Sequence, residues 1–290
     1  MALIDESARG TPHAALSRDV AFYSGYRQAG IAPAQHRGLP SPYLTLILTI
    51  DEPLSIAAHP DPGQAPGDFD TLLGGLHTSP ALIVHEGRQS GVQIMMSPLA
   101  ARELLGMPAG AVAGIDVFAD EALGRDVLEV RERLREAPDW PARFAAVDAW
   151  LMRRRAAVDA RRPVSPEVTR AWRMLVASGG AVQVPALAAE VGWSTRHLAG
   201  RFGREIGLTP KAAARVVRFD RARRTLAARV REAGYLAPSR GLGLADLAVE
   251  HGYFDQAHLD REFRALAGCA PVAWVAEEFR NIQAQRHAGG

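Results

Sequence analysis

The sequence predicts an α+β protein of two domains, a β-rich N-terminal domain with helical insertions and an all-α C-terminal domain. Two observations support this fold class. Apolar runs of strand length lie in the first half of the 290 residues, whereas helical periodicity and capping residues dominate the second half. The charge divides in the same way, because residues 1–150 hold 11 basic and 19 acidic residues and residues 151–290 hold 23 basic and 13 acidic. A basic second half favours contact with a polyanion.

Composition is that of a soluble globular protein, with 48% apolar and 23% charged residues. No run of eighteen apolar residues predicts a membrane span, and the polar N-terminus lacks the regions of a signal peptide. The single cysteine, Cys269, excludes an intramolecular disulfide and a cysteine-based zinc site. We therefore expect a cytoplasmic, nucleoid-associated protein that has no membrane partner.

The N-terminal domain is assigned to residues 1–160. Tyr43–Ile50 is rich in aromatic and β-branched residues and predicts a buried strand. Ala81–His85 and Val92–Met96 read as two strands joined by a hairpin connection, and 112–118 as one more strand. An apolar pocket behind Tyr43–Ile50 and Val92–Met96 would suit a small effector, although ordinary core packing explains the same residues.

Helices are expected between and after these strands. Ser97 caps a helix to about Leu105, a second helix runs from Ala119 to Ala137, and Asp139 caps a third that ends near Val158. The apolar stripes of the second and third helices suit packing on their own sheet and contact with a second copy equally well. The arginine run 153–155 follows, where a solvated face and a DNA contact are both open.

The C-terminal domain is assigned to residues 165–290. Ser165 begins its first helix. A short helix from Pro185 to Glu190 then leads through Gly192 to Ser194, the N-cap of a helix from about Thr195 to Glu205. This is the pattern of a helix-turn-helix over about 184–207, whose second helix enters the DNA major groove.

The same pattern returns over about 244–268. The two copies share a turn glycine followed by an aromatic residue, a His-Leu pair, a phenylalanine and a closing proline. The matched positions are Gly192 and Gly252, Trp193 and Tyr253, His197-Leu198 and His258-Leu259, Phe202 and Phe263, and Pro210 and Pro271. Both histidines and both aromatic residues are interpreted as structural. A tandem repeat in phase is a much stronger signal than a single motif.

With these motifs, residues 165 to about 279 resemble the DNA-binding domain of the AraC/XylS family of bacterial transcription regulators. The resemblance implies two helix-turn-helix subdomains joined by a long helix, here about Pro210 to Arg231, so that one chain reads two successive major grooves. It also implies an N-terminal half that binds an effector or dimerises, with the helices that follow the β-rich part as the dimer contact. The loop from Glu232 to Gly243 is longer than the usual connection.

The predicted DNA contacts lie on the outward sides of the two recognition helices. Arg196 and Arg261 suit guanine, Gln256 suits adenine, and Ala199 suits a thymine methyl group. Arg204 and Arg215 are expected to bind phosphate, which positions the protein without specifying sequence. The full predicted set is Ser194, Thr195, Arg196, Ala199, Gly200, Arg204, Arg215, Asp255, Gln256, Ala257, Asp260, Arg261 and Arg264.

An enzyme is the first alternative, but no nucleophile-elbow, zinc-protease, dinucleotide or Walker A motif is present. We expect no catalytic residues, no cofactor and no metal site. The expected partner is double-stranded promoter DNA, with RNA polymerase, a small-molecule effector and a second copy of the chain as further candidates. The second alternative keeps the DNA-binding domain and makes the N-terminal half a ligand-free protein-interaction module.

Overall fold

We describe a computed structural model of the chain over residues 3–157, 163–232 and 242–278. The first half forms two antiparallel sheets. The larger has the strand order β1-β2-β9-β4-β7-β10 and the smaller the order β3-β8-β5-β6. The strands are β1 (Ile4–Gly10), β2 (Val20–Ala29), β3 (Ala34–Gly38), β4 (Leu44–Thr49), β5 (Leu54–Ala58), β6 (Gly67–Phe69), β7 (Thr71–Gly74), β8 (Ala81–His85), β9 (Arg88–Met96) and β10 (Asp116–Phe118).

Strand β4 is the predicted buried strand, and its side chains hold two layers together. Leu44, Leu46 and Leu48 are completely buried in the main core. Ile47 points to the opposite face, because side chains alternate along a strand. There it packs in a small apolar cluster that includes Ile56 of the smaller sheet. The smaller sheet therefore packs on the face of the larger sheet to which Ile47 points.

The predicted hairpin between β8 and β9 is wrong. Strand β9 pairs with β2 and β4 in the larger sheet, whereas β8 pairs with β3 and β5 in the smaller one. Both edges of β9 are occupied, so the chain crosses between sheets at the connection. Gly87 permits this crossing with a φ of 86°, and a side chain there would lie 2.3 Å from the carbonyl oxygen of Ile31.

The described part of the N-terminal half contains four α-helices: α1 (Ala101–Leu104), α2 (Ala119–Leu123), α3 (Asp126–Glu136) and α4 (Trp140–Ala157). The single helix predicted over 119–137 is broken at Gly124, which has a φ of 98°. The helix predicted from Ser97 is a 3₁₀ turn followed by the short α1, and the strand predicted over 112–118 is reduced to β10. Val158 lies outside the described residues.

Helices α3 and α4 pack on their own half of the molecule. Val130 and Trp150 are buried in the main core. Two members of the arginine run also serve this half, because Arg154 pairs with Asp126 and Arg155 pairs with Asp19. These two contacts favour neither of the two interpretations given to the run. Dimerisation through the helices stays a prediction.

The C-terminal half is helical, as predicted. It contains α5 (Pro166–Ala177), α6 (Val184–Glu190), α7 (Thr195–Ile206), α8 (Pro210–Glu232), α9 (Leu244–Glu250), α10 (Gln256–Ala267) and α11 (residues 271–278). Most of the predicted loop between Glu232 and Gly243 lies outside the described residues. Within the described ranges, no helix has the length and hydropathy of a membrane span.

The buried core does not stop where the charge changes sign. One cluster runs from the larger sheet through α3 and α4 into α5, α6, α7 and the start of α8, and it includes Phe202. A second cluster joins α8 to α9, α10 and α11 around Phe219 and Phe263. The first helix-turn-helix thus shares its core with the N-terminal half, and the second has a core of its own.

Candidate nucleic-acid interface

The first recognition helix, α7, begins and ends as its sequence predicts. The Ser194 hydroxyl accepts a hydrogen bond from the His197 N–H at 3.2 Å. Gly207 ends the helix in the left-handed conformation that glycine adopts readily, and its N–H bonds to the Gly203 carbonyl oxygen. Leu198, Phe202 and Ile206 are completely buried, which leaves the opposite side of α7 facing outward.

The outward side of α7 is smooth and open. Thr195, Arg196, Gly200 and Arg204 are exposed and Ala199 is half-buried. A side chain added at Gly200 or Gly203 would meet nothing within 4 Å apart from the backbone of its own helix. A glycine inside a helix costs about 0.5–1 kcal/mol of stability relative to alanine. Since no packing contact requires these two glycines, they serve the exposed surface of α7 and not the packing of the core.

The second recognition helix, α10, is built in the same way. Asp255 accepts a hydrogen bond from the His258 N–H at 2.7 Å, and Leu259 and Phe263 are completely buried. The outward side carries exposed Gln256, Ala257, Arg261 and Arg264. Asp260 is half-buried, and its Oδ1 has no hydrogen-bond partner among the described residues.

The turns before the two helices match closely. Gly192 and Gly252 have φ angles of 70° and 71°. The next N–H in each turn returns to the preceding helix, from Trp193 to the Ala188 carbonyl oxygen at 2.9 Å and from Tyr253 to that of Ala248 at 2.8 Å. Each aromatic ring then meets the histidine of its own recognition helix edge-on. Both aromatic residues pack against their own recognition helices, as predicted, and the structural role of the two histidines stays a prediction.

Arginines on α7 and α10 are free to bind an anion. Among the described residues, Arg196, Arg204, Arg261 and Arg264 have no ion-pair or hydrogen-bond partner for their side chains. Arg215 on α8 differs, since its guanidinium binds both carboxylate oxygens of Glu262 at 2.9 and 3.0 Å. That hydrogen bonding raises the pKa of Arg215. The pair ties α8 to α10, and phosphate binding by Arg215 stays a prediction.

Two ion pairs that were not predicted from the sequence join the halves of the chain. Arg102 of α1 binds both oxygens of Glu205 at 2.8 and 3.0 Å. Arg37 of β3 does the same to Glu277 of α11 at 2.9 and 3.3 Å. Glu205 gave a usable signal, since it is an acidic residue beside the buried stripe of α7, but its partner is 103 positions away.

The first recognition helix also touches the N-terminal half through its backbone. A side chain at Gly110 would lie 2.3 Å from the Arg204 carbonyl oxygen and 2.7 Å from that of Gly203. Only glycine allows this approach. The contact lies at the C-terminal end of α7, so the residues near its N-terminal end that are predicted to contact bases stay accessible.

A cavity of approximately 650 Å³ lies between the sheets and the second helix-turn-helix. One wall is apolar and comes from both sheets, with Ile47, Ile56 and Met95 among its residues. The other wall comes from α8 and α11. Five arginines line the cavity, namely Arg9, Arg37, Arg223, Arg224 and Arg231. The Arg223 Nε atom is buried and has no hydrogen-bond partner within the described part of the chain.

Histidines line the same cavity on the sheet side. Burial, reinforced by the neighbouring His85, lowers the pKa of His36 to about 4. The pKa of His77 is lowered as well, because burial disfavours the charged ring. Both imidazoles are therefore neutral at pH 7, and the positive charge of the cavity comes from its arginines.

These features define the C-terminal half as a tandem helix-turn-helix domain of the kind that binds DNA. Residues 187–277 match the family model described as a helix-turn-helix domain. This part of the chain is an AraC-type helix-turn-helix domain, which confirms the resemblance drawn from its motifs.

The fold was also compared with solved structures. The chain is similar to ToxT from Vibrio cholerae O395, with 10% identity, a TM-score of 0.47, and coverage of 88% of this chain and 96% of that chain. It is similar to wild-type ToxT of Vibrio cholerae strain SCE256 bound to an unsaturated fatty acid, with 6% identity, a TM-score of 0.48 and 95% coverage of both chains. Against ToxT from Vibrio cholerae O395 bound to (E)-4-(8-methylnaphthalen-1-yl)but-3-enoic acid, the identity is 10%, the TM-score 0.49 and the coverage 93% and 98%. No curated protein sequence matches the chain.

Proposed function

We propose that this protein is a sequence-specific transcription regulator that reads two successive major grooves through α7 and α10. One observation carries the proposal. Both recognition helices leave their outward sides open, and each presents arginines that no described residue engages, Arg196 and Arg204 on α7 and Arg261 and Arg264 on α10. Free guanidinium groups on exposed recognition helices suit guanine edges and phosphate oxygens.

The residues of each helix divide between reading bases and holding the backbone. Arg196 and Gln256 lie in the first turns of their helices, where helix-turn-helix proteins contact base edges. Arg204 and Arg264 lie near the C-terminal ends and suit phosphate. Asp260 would accept from a cytosine amine or order Arg261. Its Oδ1 is buried and has no hydrogen-bond partner within the described residues, so a base contact would use the other carboxylate oxygen.

We further propose that the N-terminal half binds an effector in the cavity between the halves. Its apolar wall suits an apolar molecule. Of its five arginines, Arg37 pairs with Glu277, and both Arg223 and Arg224 pair with Asp220. Arg9 and Arg231 have no such pair within the described residues and suit an anionic group on that molecule. Arg37 lines the cavity and also holds Glu277 of α11. Binding at Arg37 would therefore affect the second helix-turn-helix, because α11 packs in its core. The alternative is a ligand-free interaction module, in which the cavity stays without a small-molecule ligand.

Tryptophan fluorescence distinguishes these two roles, because Trp274 lines the cavity. We expect a carboxylate with an apolar tail to change the emission of the full chain at saturable concentrations. Trp274→Phe should lose most of that change, whereas Trp140→Phe should keep it, because Trp140 is not among the residues that line the cavity. If a panel of apolar carboxylates, phosphates and neutral analogues gave no saturable change, the interaction-module role would replace the effector role.

The DNA-binding role is tested with the full chain and a duplex from its own upstream region. We expect binding that resists unrelated competitor DNA and weakens steeply as salt rises, because phosphate contacts release counterions. Equal loss to any competitor would reject sequence-specific recognition at this site. Binding of RNA polymerase, assembly with a second copy, a cytoplasmic nucleoid location and the lack of enzymatic activity remain predictions.

A further inference from the structure

The turn of the second helix-turn-helix is one residue longer than that of the first. The N-cap Ser194 comes two positions after Gly192, whereas the N-cap Asp255 comes three positions after Gly252. The extra residue is Phe254. Its exposed fraction is 90%, the highest of the large apolar side chains in the described ranges. No counterpart exists in the first turn, where the aromatic residue is followed directly by the cap.

The backbone of Phe254 is held in place on both sides. The preceding Tyr253 is 4% exposed, and its ring meets that of His258 edge-on at 5.3 Å. The Phe254 N–H donates to His258 Nδ1 at 3.3 Å, and the following Asp255 caps α10. An anchored backbone with a solvent-exposed ring fixes the phenyl group beside the first turn of the recognition helix.

The surroundings favour DNA as the occupant of this surface. Gln256, Arg261 and Arg264 are exposed on the same helix, and the sequence from residue 151 onward is strongly basic. A protein partner with an apolar patch would have to desolvate these charged neighbours, whereas a duplex complements them. In helix-turn-helix complexes the N-terminal end of the recognition helix meets the base edges. The apolar group presented there is the thymine methyl.

We propose that Phe254 is a specificity residue that packs on a thymine methyl group at the N-terminal edge of α10. The inference rests on the proposed DNA-binding function and deepens it. It assigns to the second helix-turn-helix an apolar base contact in addition to the hydrogen bonds proposed for Gln256 and Arg261. Phe254 thereby selects thymine, or another 5-methylated pyrimidine, at one position of the site.

The test begins with duplexes selected from a randomised library by the full chain. In the recovered site, each thymine is replaced in turn by deoxyuridine, which removes only the methyl group. We expect one such replacement to weaken wild-type binding about fourfold, the equivalent of one buried methyl group. Phe254→Ser should bind the thymine site about as weakly as the wild type binds the uridine site and should not distinguish the two. Phe254→Leu should keep part of the preference.

Val249→Ser is the matched control, because Val249 is an apolar side chain of α9 with 72% exposure. It should keep both affinity and uridine sensitivity. If Phe254→Ser selected the same sequence with unchanged affinity and uridine response, the inference would be overturned, and so it would be if the variant weakened all sequences alike. Failure of the wild type to enrich any sequence would instead reject the proposed function itself.

Discussion

Arg196 and Arg204 lie on the same helix but at opposite ends, and this position separates their expected roles. We expect Arg196→Ala to lose about 1–3 kcal/mol of discrimination at one base pair while non-specific binding stays nearly constant. Arg204→Ala should weaken all duplexes alike and reduce the salt slope by about one. Binding isotherms on a preferred duplex and on single-base variants, each at several salt concentrations, measure both effects.

Arg133→Ala is the control for that pair, because Arg133 is an exposed arginine of α3, far from α7 along the chain. It removes the same charge and should leave both preference and salt slope unchanged. An Arg196→Ala variant with unaltered preference would show that α7 does not read bases through this residue.

His36 gives the molecule a measurable pH dependence of stability. Its pKa is about 4 in the folded protein, compared with an ordinary value of 6.5. The unfolded chain therefore binds more protons between these values, and the free energy of unfolding should fall as the pH drops from about 6.5 towards 4, by at most about 1.4 kcal/mol per pH unit. His36→Asn should flatten this slope in urea unfolding at pH 7 and pH 5.

Other histidines contribute to the same slope, since burial also lowers the pKa of His77 and His85. The slope should therefore be reduced and not abolished. His13→Asn is the control, because His13 is exposed and asparagine can replace it as a cap. An identical pH dependence in wild type and His36→Asn would contradict the assignment.

At the scale of single residues, the sequence predicts well what is decided locally. Ser194 and Asp255 cap their helices as expected because a cap bonds to a backbone group three positions on. Arg215 shows the limit, since its engagement by Glu262 joins residues 47 positions apart. Outward position on a helix follows from periodicity, but the partner of a side chain across the fold does not.

At the scale of elements, the two open glycines of α7 link stability to binding. Gly200→Ala and Gly203→Ala should each stabilise the protein by about 0.5–1 kcal/mol, because alanine restricts the unfolded chain and favours the helix. The added methyl groups would project into open space on the outward side of α7. We therefore expect DNA affinity to fall while stability rises, as measured by thermal unfolding and by duplex binding on the same preparations.

A double variant that gained stability and kept full affinity would contradict a close approach of α7 to DNA. Ala199→Ser serves as a comparison, because it changes the same helix without restoring a Cβ at either glycine. Serine has a lower helix propensity than alanine, so this variant should lose about 0.5 kcal/mol of stability. A fall in DNA affinity together with a gain in stability is then expected only for the glycine variants.

Strand pairing shows why element patterns do not determine topology. The sequence identified β4, β8 and most of β9 from composition and bounding residues. It assigned β8 and β9 to one hairpin because they are adjacent in the chain, but they lie in different sheets. A run of apolar residues predicts that a strand is buried, but it does not predict which strands pair with it. Gly124 likewise broke a helix that apolar periodicity alone would continue.

At the scale of the whole molecule, two arginine–glutamate pairs connect the N-terminal half to the two helix-turn-helix units. We expect Arg102→Ala to destabilise the protein by about 2 kcal/mol, because it leaves the buried Glu205 without its partner. Glu205→Gln in the same background should recover part of the loss, since it removes the unpaired charge. Urea unfolding of the single and double variants measures the effect.

Arg170→Ala is the matched control, because Arg170 pairs with Glu190 on an exposed surface. Such a pair contributes about 0–1 kcal/mol, so its loss should be small. Equal effects of the two substitutions would mean that the Arg102–Glu205 contact contributes no more than a surface pair.

The sequence predicted two structural classes for the two halves but not how they join. The predicted domain boundary lay between residues 160 and 165, whereas buried packing continues from the larger sheet into the first helix-turn-helix. Surfaces that bury one another across more than a hundred positions leave no periodic signal. The cavity also depends on contacts between segments that are distant in the chain. Its sheet wall was predicted, but its arginines come from β1, β3 and α8.

The central claim is that one chain reads two major grooves, and footprinting of the full chain on its selected duplex tests it most directly. We predict two protected patches on the same face of the duplex, centred about one helical turn or 10–10.5 base pairs apart. Arg196→Ala should reduce protection mainly in one patch and Arg261→Ala mainly in the other. A single patch that both substitutions weaken equally, or protection without regard to sequence, would contradict the claim.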